Sequence, residues 1–291
     1  MIGRGKKGIL VLLVIFILVT CPSMIVQKTL LAKQNYNYKV AVLPEYLPIE
    51  IWQRLHPLMT YLEDSLGVRF ELLIPRSFEQ HIEMVKKGEA DFSYQNPYVF
   101  LEIWEYSSPL TITEKGKGEI ESRGVIITRH DSKINTIENL RRKKISVVSP
   151  YSAGGFVAQK AFLGERGIDV KSELSIIEAK GNKQENVIFD VLLQRTDAGF
   201  IEEEAVGRIE SKGILSPGKI QEIKIIAYVE GIPNWIFSGN KKLPLNERKS
   251  VQKTLLNIPL DHPVLRTAKI RRFVPVRIDY LVGYRSKVQG K

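Results

Sequence analysis

The tetrapeptide Ser152-Ala153-Gly154-Gly155 stands directly before an apolar run, where an anion could be held without a positive side chain. Backbone N–H groups at a helix start lack intrahelical partners, and the helix dipole adds partial positive charge there. Together they suit a phosphate-like or carboxylate oxygen. The same residues also suit a plain serine cap on a structural helix, with the glycines present for close packing. A second group, Tyr94, Asn96 and Tyr98, ends a short apolar strand, where aromatic faces and polar tips can line a cleft. Pro97 among them equally fits turn punctuation. Tyr46, two residues beyond Pro44, has a matching position after the first strand. Glu202 precedes Glu203 and Glu204, so it reads as an acid facing the site or as the solvated start of an acidic helix. An acid facing an anion is useful when one of them carries a proton, when the ligand has an amino group, or when the acid orients a donor.

Other chemistries are excluded by the same inventory. Cys21 is the only cysteine and lies near the N-terminus, so the rest of the chain has no disulfide, thiolate metal site or cysteine nucleophile. His56, His81, His130 and His262 are scattered without ligand spacing, which argues against a metal. No phosphate-binding Gly-x-x-x-x-Gly-Lys run and no Ser-His-Asp grouping occurs, so neither a catalytic residue nor a cofactor is expected. The net charge is +11, of which Arg4, Lys6, Lys7, Lys28 and Lys33 carry +5 with no acid among residues 1–33. The remaining +6 is spread along the chain, enough to attract anions but short of a nucleic-acid footprint.

The elements that must position these residues read as two α/β units behind a leader. Residues 1–33 combine a basic start with an uncharged run from Gly8 to Gln27, an export signal or N-terminal membrane anchor. Leu18-Val19-Thr20-Cys21 loosely resembles a lipoprotein processing box. Every such reading places the body of the chain outside the cytoplasmic membrane. From Tyr38 strand and helix alternate: strands at 38–44, 69–74 and 91–94, with helices at 48–66 and 78–87. The pattern restarts with strands at 124–128, 145–149, 174–178, 198–201 and 224–228, and helices at 155–163 and 185–193. Such alternation predicts parallel sheets flanked by helices, with ligands at the carboxyl ends of the strands.

Four stretches resemble the phosphate, phosphite and phosphonate class of periplasmic binding proteins: Gly88 to Tyr98, Ser149 to Phe156, Asp190 to Glu202, and Ile232-Pro233-Asn234 with the following Leu243-Pro244-Leu245. The resemblance runs in order from residue 38 to about 285. It implies a type II, two-lobed fold, each lobe a mainly parallel sheet, with a hinge between. Lobe 1 is expected at 38–123 and 231–291, and lobe 2 at 124–230. The implied function is capture of a small phosphonate- or phosphate-like oxyanion for an ABC importer, as a monomer that docks on a membrane permease. The implied ligand-binding set is Tyr46, Tyr94, Asn96, Tyr98, Ser152, Ala153, Gly154, Gly155, Gln184 and Glu202. The chain departs from the family's phosphonate binders at Gly124, Ala153 and Gly154, where hydroxyl residues are common, and at Gln184, where histidine is frequent. Lys180, Lys183 and Arg123 near the cleft mouth, and the pair Arg271-Arg272, read as solvated surface. Two rivals stand beside transport: a sensing module partnering a separate kinase or chemoreceptor, and an enzyme on the same fold, which would need the cysteine and histidine chemistry absent here.

Overall fold

Burial alternates at the start of the segment Asn37–Val42 and is complete from Val40 onward, as a strand covered on both faces requires. This is β1. A computed structural model describes residues 37–290 apart from Lys117. Residues 1–36, with Cys21 and the expected leader, lie outside the described residues. The helix Pro48–Leu66 follows β1, begins on a proline and buries Ile51, Leu55, Leu58, Met59 and Leu62. It stops at Gly67, whose φ of 66° is left-handed.

One sheet is built from β1, β2 (Arg69–Leu73), β3 (Phe92–Gln95), β4 (Ser107–Glu114), β10 (Ile236–Asn240) and β11 (Arg272–Pro275), in the order β11-β4-β10-β3-β1-β2. The other contains β5 (Glu121–Arg129), β6 (Lys144–Val147), β7 (Ser175–Glu178), β8 (Ala198–Glu202) and β9 (Ile223–Pro233), in the order β7-β6-β8-β5-β9. The expected parallel core is present in each, β2-β1-β3 in the first and β7-β6-β8 in the second. Antiparallel strands extend both, so the sheets are mixed. The chain crosses between them twice, after β4 and after β9. Buried Asn234 ties the crossings together: its N–H donates to Ile120 O at 2.8 Å, and its Nδ2 donates to Glu119 O at 2.9 Å and Thr113 O at 3.2 Å. Tyr280 of the last helix, Ile278–Gln289, donates to Glu121 at 2.7 Å beside them.

The basic pair near the C-terminus lies on the exposed edge strand, as expected, and is also engaged there. Arg271 and Arg272 both grip the buried Glu114 carboxylate, at 2.9 Å and 2.8 Å, where β11 pairs with β4. Their hydrogen bonds hold Glu114 below the usual carboxylate range.

Candidate functional site

The carboxyl ends of β1 and β3 face those of β6 and β8, and the loops leaving them meet. From β1 come Pro44, Glu45 and Tyr46, turned by a hydrogen bond from Glu45 N–H to Leu43 O at 2.9 Å. Glu45 is 2 % exposed, and its Oε1 accepts a 2.8 Å hydrogen bond from Gln184 Nε2 of the opposite lobe. The Gln184 carbonyl accepts in turn from the Glu202 backbone N–H at 3.0 Å. One buried carboxamide therefore joins the end of β1 to the end of β8. Lys183, next in the chain, donates to Pro44 O at 2.6 Å and Tyr46 O at 2.8 Å. It is a clamp between lobes and not the solvated lysine its sequence context suggests. Lys115 to Glu204 at 3.0 Å and Lys212 to Glu50 at 2.7 Å cross the same gap.

The lobe 1 wall is aromatic. Tyr94 and Trp235 have ring centroids 5.0 Å apart, and Tyr46 lies 6.4 Å from Trp235. With Arg54, Lys115 and Lys269 they line a cavity of about 30 Å³, room for about one water as the lobes stand. The Arg54 guanidinium sits 4.4 Å from the Tyr46 ring centroid, a cation–π contact. Burial pushes the Tyr94 hydroxyl up to about 12, so it remains a neutral donor.

The lobe 2 wall is the start of the helical segment that follows β6. Ser152 Oγ accepts from Gly155 N–H at 3.1 Å, and the turn Ala153–Val157 is a π-turn leading into the helix Ala158–Gly164. Such turns recur at functional sites. Two of its glycines also meet a packing need. A Cβ at Gly155 would lie 2.5 Å from Val148 Cγ2, and one at Gly154 would lie 2.6 Å from Glu202 Cγ. The Glu202 side chain thus lies against the helix start, and the expected anion cradle already faces a carboxylate.

Of the residues singled out in the sequence, Ser152, Ala153, Gly154, Gly155, Gln184 and Glu202 come together on one side of the cleft, and Tyr46 and Tyr94 on the other. Asn96 and Tyr98 meet the Ser152 to Gly155 turn from the lobe 1 side, Tyr98 packing against the cluster that holds Ala153. Asn96 caps its own helix, accepting from Val99 N–H at 2.9 Å, and donates to Tyr151 O at 3.1 Å. Tyr98 stacks toward Tyr151 at 6.5 Å. Both therefore join the lobes at the loop that leads into the helix start. Glu45, Lys115 and Arg208 were not singled out. Glu45 carried a faint signal, its place beside Tyr46; Lys115 and Arg208 carried none, because they come from distant elements.

Electrostatics divide the cleft. Burial and the nearby Glu202 charge push the Glu45 carboxyl up to about 7. Burial opposes charge on Lys115, but Glu202 and Glu204 outweigh it and hold the ammonium above its ordinary range. The missing hydroxyls at Gly124 and Gly154 leave no gaps: a Cβ at Gly124 would lie 2.5 Å from the Gln159 amide nitrogen and 3.1 Å from Gly154 O. Gly124→Ser should therefore cost about 1–3 kcal/mol of stability. A urea midpoint unchanged from that of the parent would show that Gln159 yields instead.

Two mixed α/β sheets facing each other across a cleft, joined by two crossings, define the two-lobed periplasmic binding protein class. Solved structures share this fold at low identity. A binding protein component of an ABC phosphonate transporter from Pseudomonas aeruginosa superposes with a TM-score of 0.74 at 14% identity, over 86% of this chain and 85% of that one. PhnD1 from Prochlorococcus marinus, in complex with methylphosphonate, gives 0.75 at 13% identity, over 87% and 97%. The chain belongs to the family of phosphonate periplasmic substrate-binding proteins of ABC transporters, whose family model matches residues 40–281. Among curated relatives, the phosphate-import protein PhnD of Mycolicibacterium smegmatis is 23% identical over 218 residues, 70% of this chain and 66% of that protein. The chain thus spans just under two thirds of that relative's length. Among the described residues no helix is long and apolar enough to cross a membrane, and no cluster of His, Cys, Asp and Glu could hold a metal ion.

Proposed function

We propose that this protein is the extracytoplasmic solute-binding component of an ABC-type importer and captures a small phosphonate- or phosphate-like oxyanion between its lobes. The observation that carries this reading is the lobe 1 wall of Tyr46, Tyr94 and Trp235 with Arg54 and Lys115 beside it. Cations beside neutral aromatic donors suit a desolvated oxyanion. Across the cleft, Ser152 to Gly155, Gln184 and Glu202 close over the solute. The protein is a monomer that works outside the cytoplasmic membrane and delivers its closed form to a permease. It has no catalytic role. Family membership supports transport over a sensory partnership.

Thermal shift tests the reading. Ligand at a hundred times its dissociation constant stabilises the native state by about 2.7 kcal/mol. For a protein of this size that is a rise of roughly 5–10 °C. Methylphosphonate or inorganic phosphate should produce it with the parent and not with Tyr46→Ala. A response to amino acids alone would refute the oxyanion assignment.

A further inference from the structure

Arg208 lies on the helix Glu204–Ser211 of lobe 2 and points toward the lobe 1 wall, with its guanidinium carbon 5.4 Å from the Tyr46 ring centroid. Its side chain is 14% exposed. None of its three nitrogens has a hydrogen-bond acceptor within the protein. The carboxylates near it are too far to serve: Glu202 Oε2 is 3.8 Å from Nη1, and Glu204 Oε2 is 3.9 Å. A guanidinium carries five N–H donors in a planar fork, and burying it without acceptors is costly. Such a group persists where an acceptor arrives from outside.

The surroundings say which kind of acceptor. The helix start at Gly154 is already covered by the Glu202 side chain, whose Cγ and Oε1 would lie 2.6 Å and 3.3 Å from a Cβ there, so the space beside it is taken. The hydroxyl donors common in the family are missing at Gly124, Ala153 and Gly154, and the space at Gly124 and Gly154 is filled by Gln159 and Glu202. On the opposite side, Lys115 Nζ and Arg208 Nη1 converge on the same atom, Glu204 Oε2, at 3.0 Å and 3.9 Å. Glu204 is 54% exposed and free to swing into water, leaving two cations around one oxygen position.

We propose that Arg208, with Lys115, is the charge-bearing half of the solute site and grips the oxyanion of a phosphonate or phosphate by its guanidinium fork, in place of the hydroxyl donors this chain lacks. Fork geometry matches two oxygens of such a group. This deepens the proposed function and rests on it. Glu204 holds the position between the cations until the solute displaces it.

Titration calorimetry of the full-length protein with methylphosphonate and with inorganic phosphate tests the assignment. Arg208→Gln should raise the dissociation constant of the better probe by roughly 10- to 100-fold. Its melting temperature without ligand shows whether the variant is folded when its affinity is read. An Arg208→Gln constant within threefold of the parent's overturns the proposal. If the parent binds neither probe, the oxyanion reading of the cleft fails first and the role of Arg208 falls with it.

Discussion

Lys183→Met should weaken solute binding by roughly 30- to 150-fold while leaving both lobes folded. The Lys183 ammonium joins the lobes through two hydrogen bonds, to the carbonyls of Pro44 and Tyr46, and both carbonyls belong to the loop that carries Glu45. Hydrogen bonds to a charged group contribute about 1.5–3 kcal/mol each. Lys183 is only partly buried, so about 2–3 kcal/mol for the pair is the appropriate scale. That energy is present only when the lobes are closed. A solute that needs the closed form binds with an affinity reduced by the fraction of molecules closed, so loss of the clamp lowers affinity without touching the solute. Calorimetry with methylphosphonate reads the affinity, and small-angle scattering reads the closure. A larger radius of gyration for ligand-free Lys183→Met is expected. An unchanged radius together with an unchanged affinity would show that closure does not depend on this clamp.

Glu45→Gln should stabilise the protein at pH 8 by on the order of 2–3 kcal/mol and change nothing at pH 4. Burial and the Glu202 charge raise the folded-state pKa of Glu45 from 4.5 to about 7. Between those values the folded protein holds a proton that the unfolded chain releases. The contribution to stability is therefore fully present below about 4.5 and is lost as pH rises through about 7. Glutamine keeps the carbonyl that accepts from Gln184 and never acquires the charge. Urea midpoints from pH 4 to 8 should diverge between parent and variant across this window. Parallel curves would place Glu45 in a solvated setting and remove the acid pair from the cleft.

The parallel β1, β2 and β3 core with its two helices could be read closely from the chain. The helix Pro48–Leu66 was legible to the residue, because a proline start, a five-residue apolar stripe and a glycine stop are all local signals. β4 was not. Pro109 lies within it, and a proline speaks against a strand. The structure accommodates it at an irregularity, where Pro109 pairs with Ser238 and Thr111 with Phe237, leaving Leu110 as the extra residue of a bulge. That pairing depends on β10, more than a hundred residues away, so no local pattern could reveal it. The long β9 shows the same limit: only 224–228 stood out, because its continuation to Pro233 is held by β5 across the crossing.

The site divides along the same line. By itself the sequence determined the α/β fold of a periplasmic binding protein, and it pointed to helix-start donors and strand-end tyrosines as the candidates for its site. Those properties follow from residue type and short-range order. Only the tertiary structure decided which charges meet. It laid Glu202 against Gly154, committed Asn96 to a cap, turned Lys183 into a clamp, and aimed Arg208 and Lys115 at one point from opposite lobes. The physical reason is that burial and charge pairing depend on distance in space, and the strands supplying these groups are brought together by crossovers that carry no mark in the local sequence.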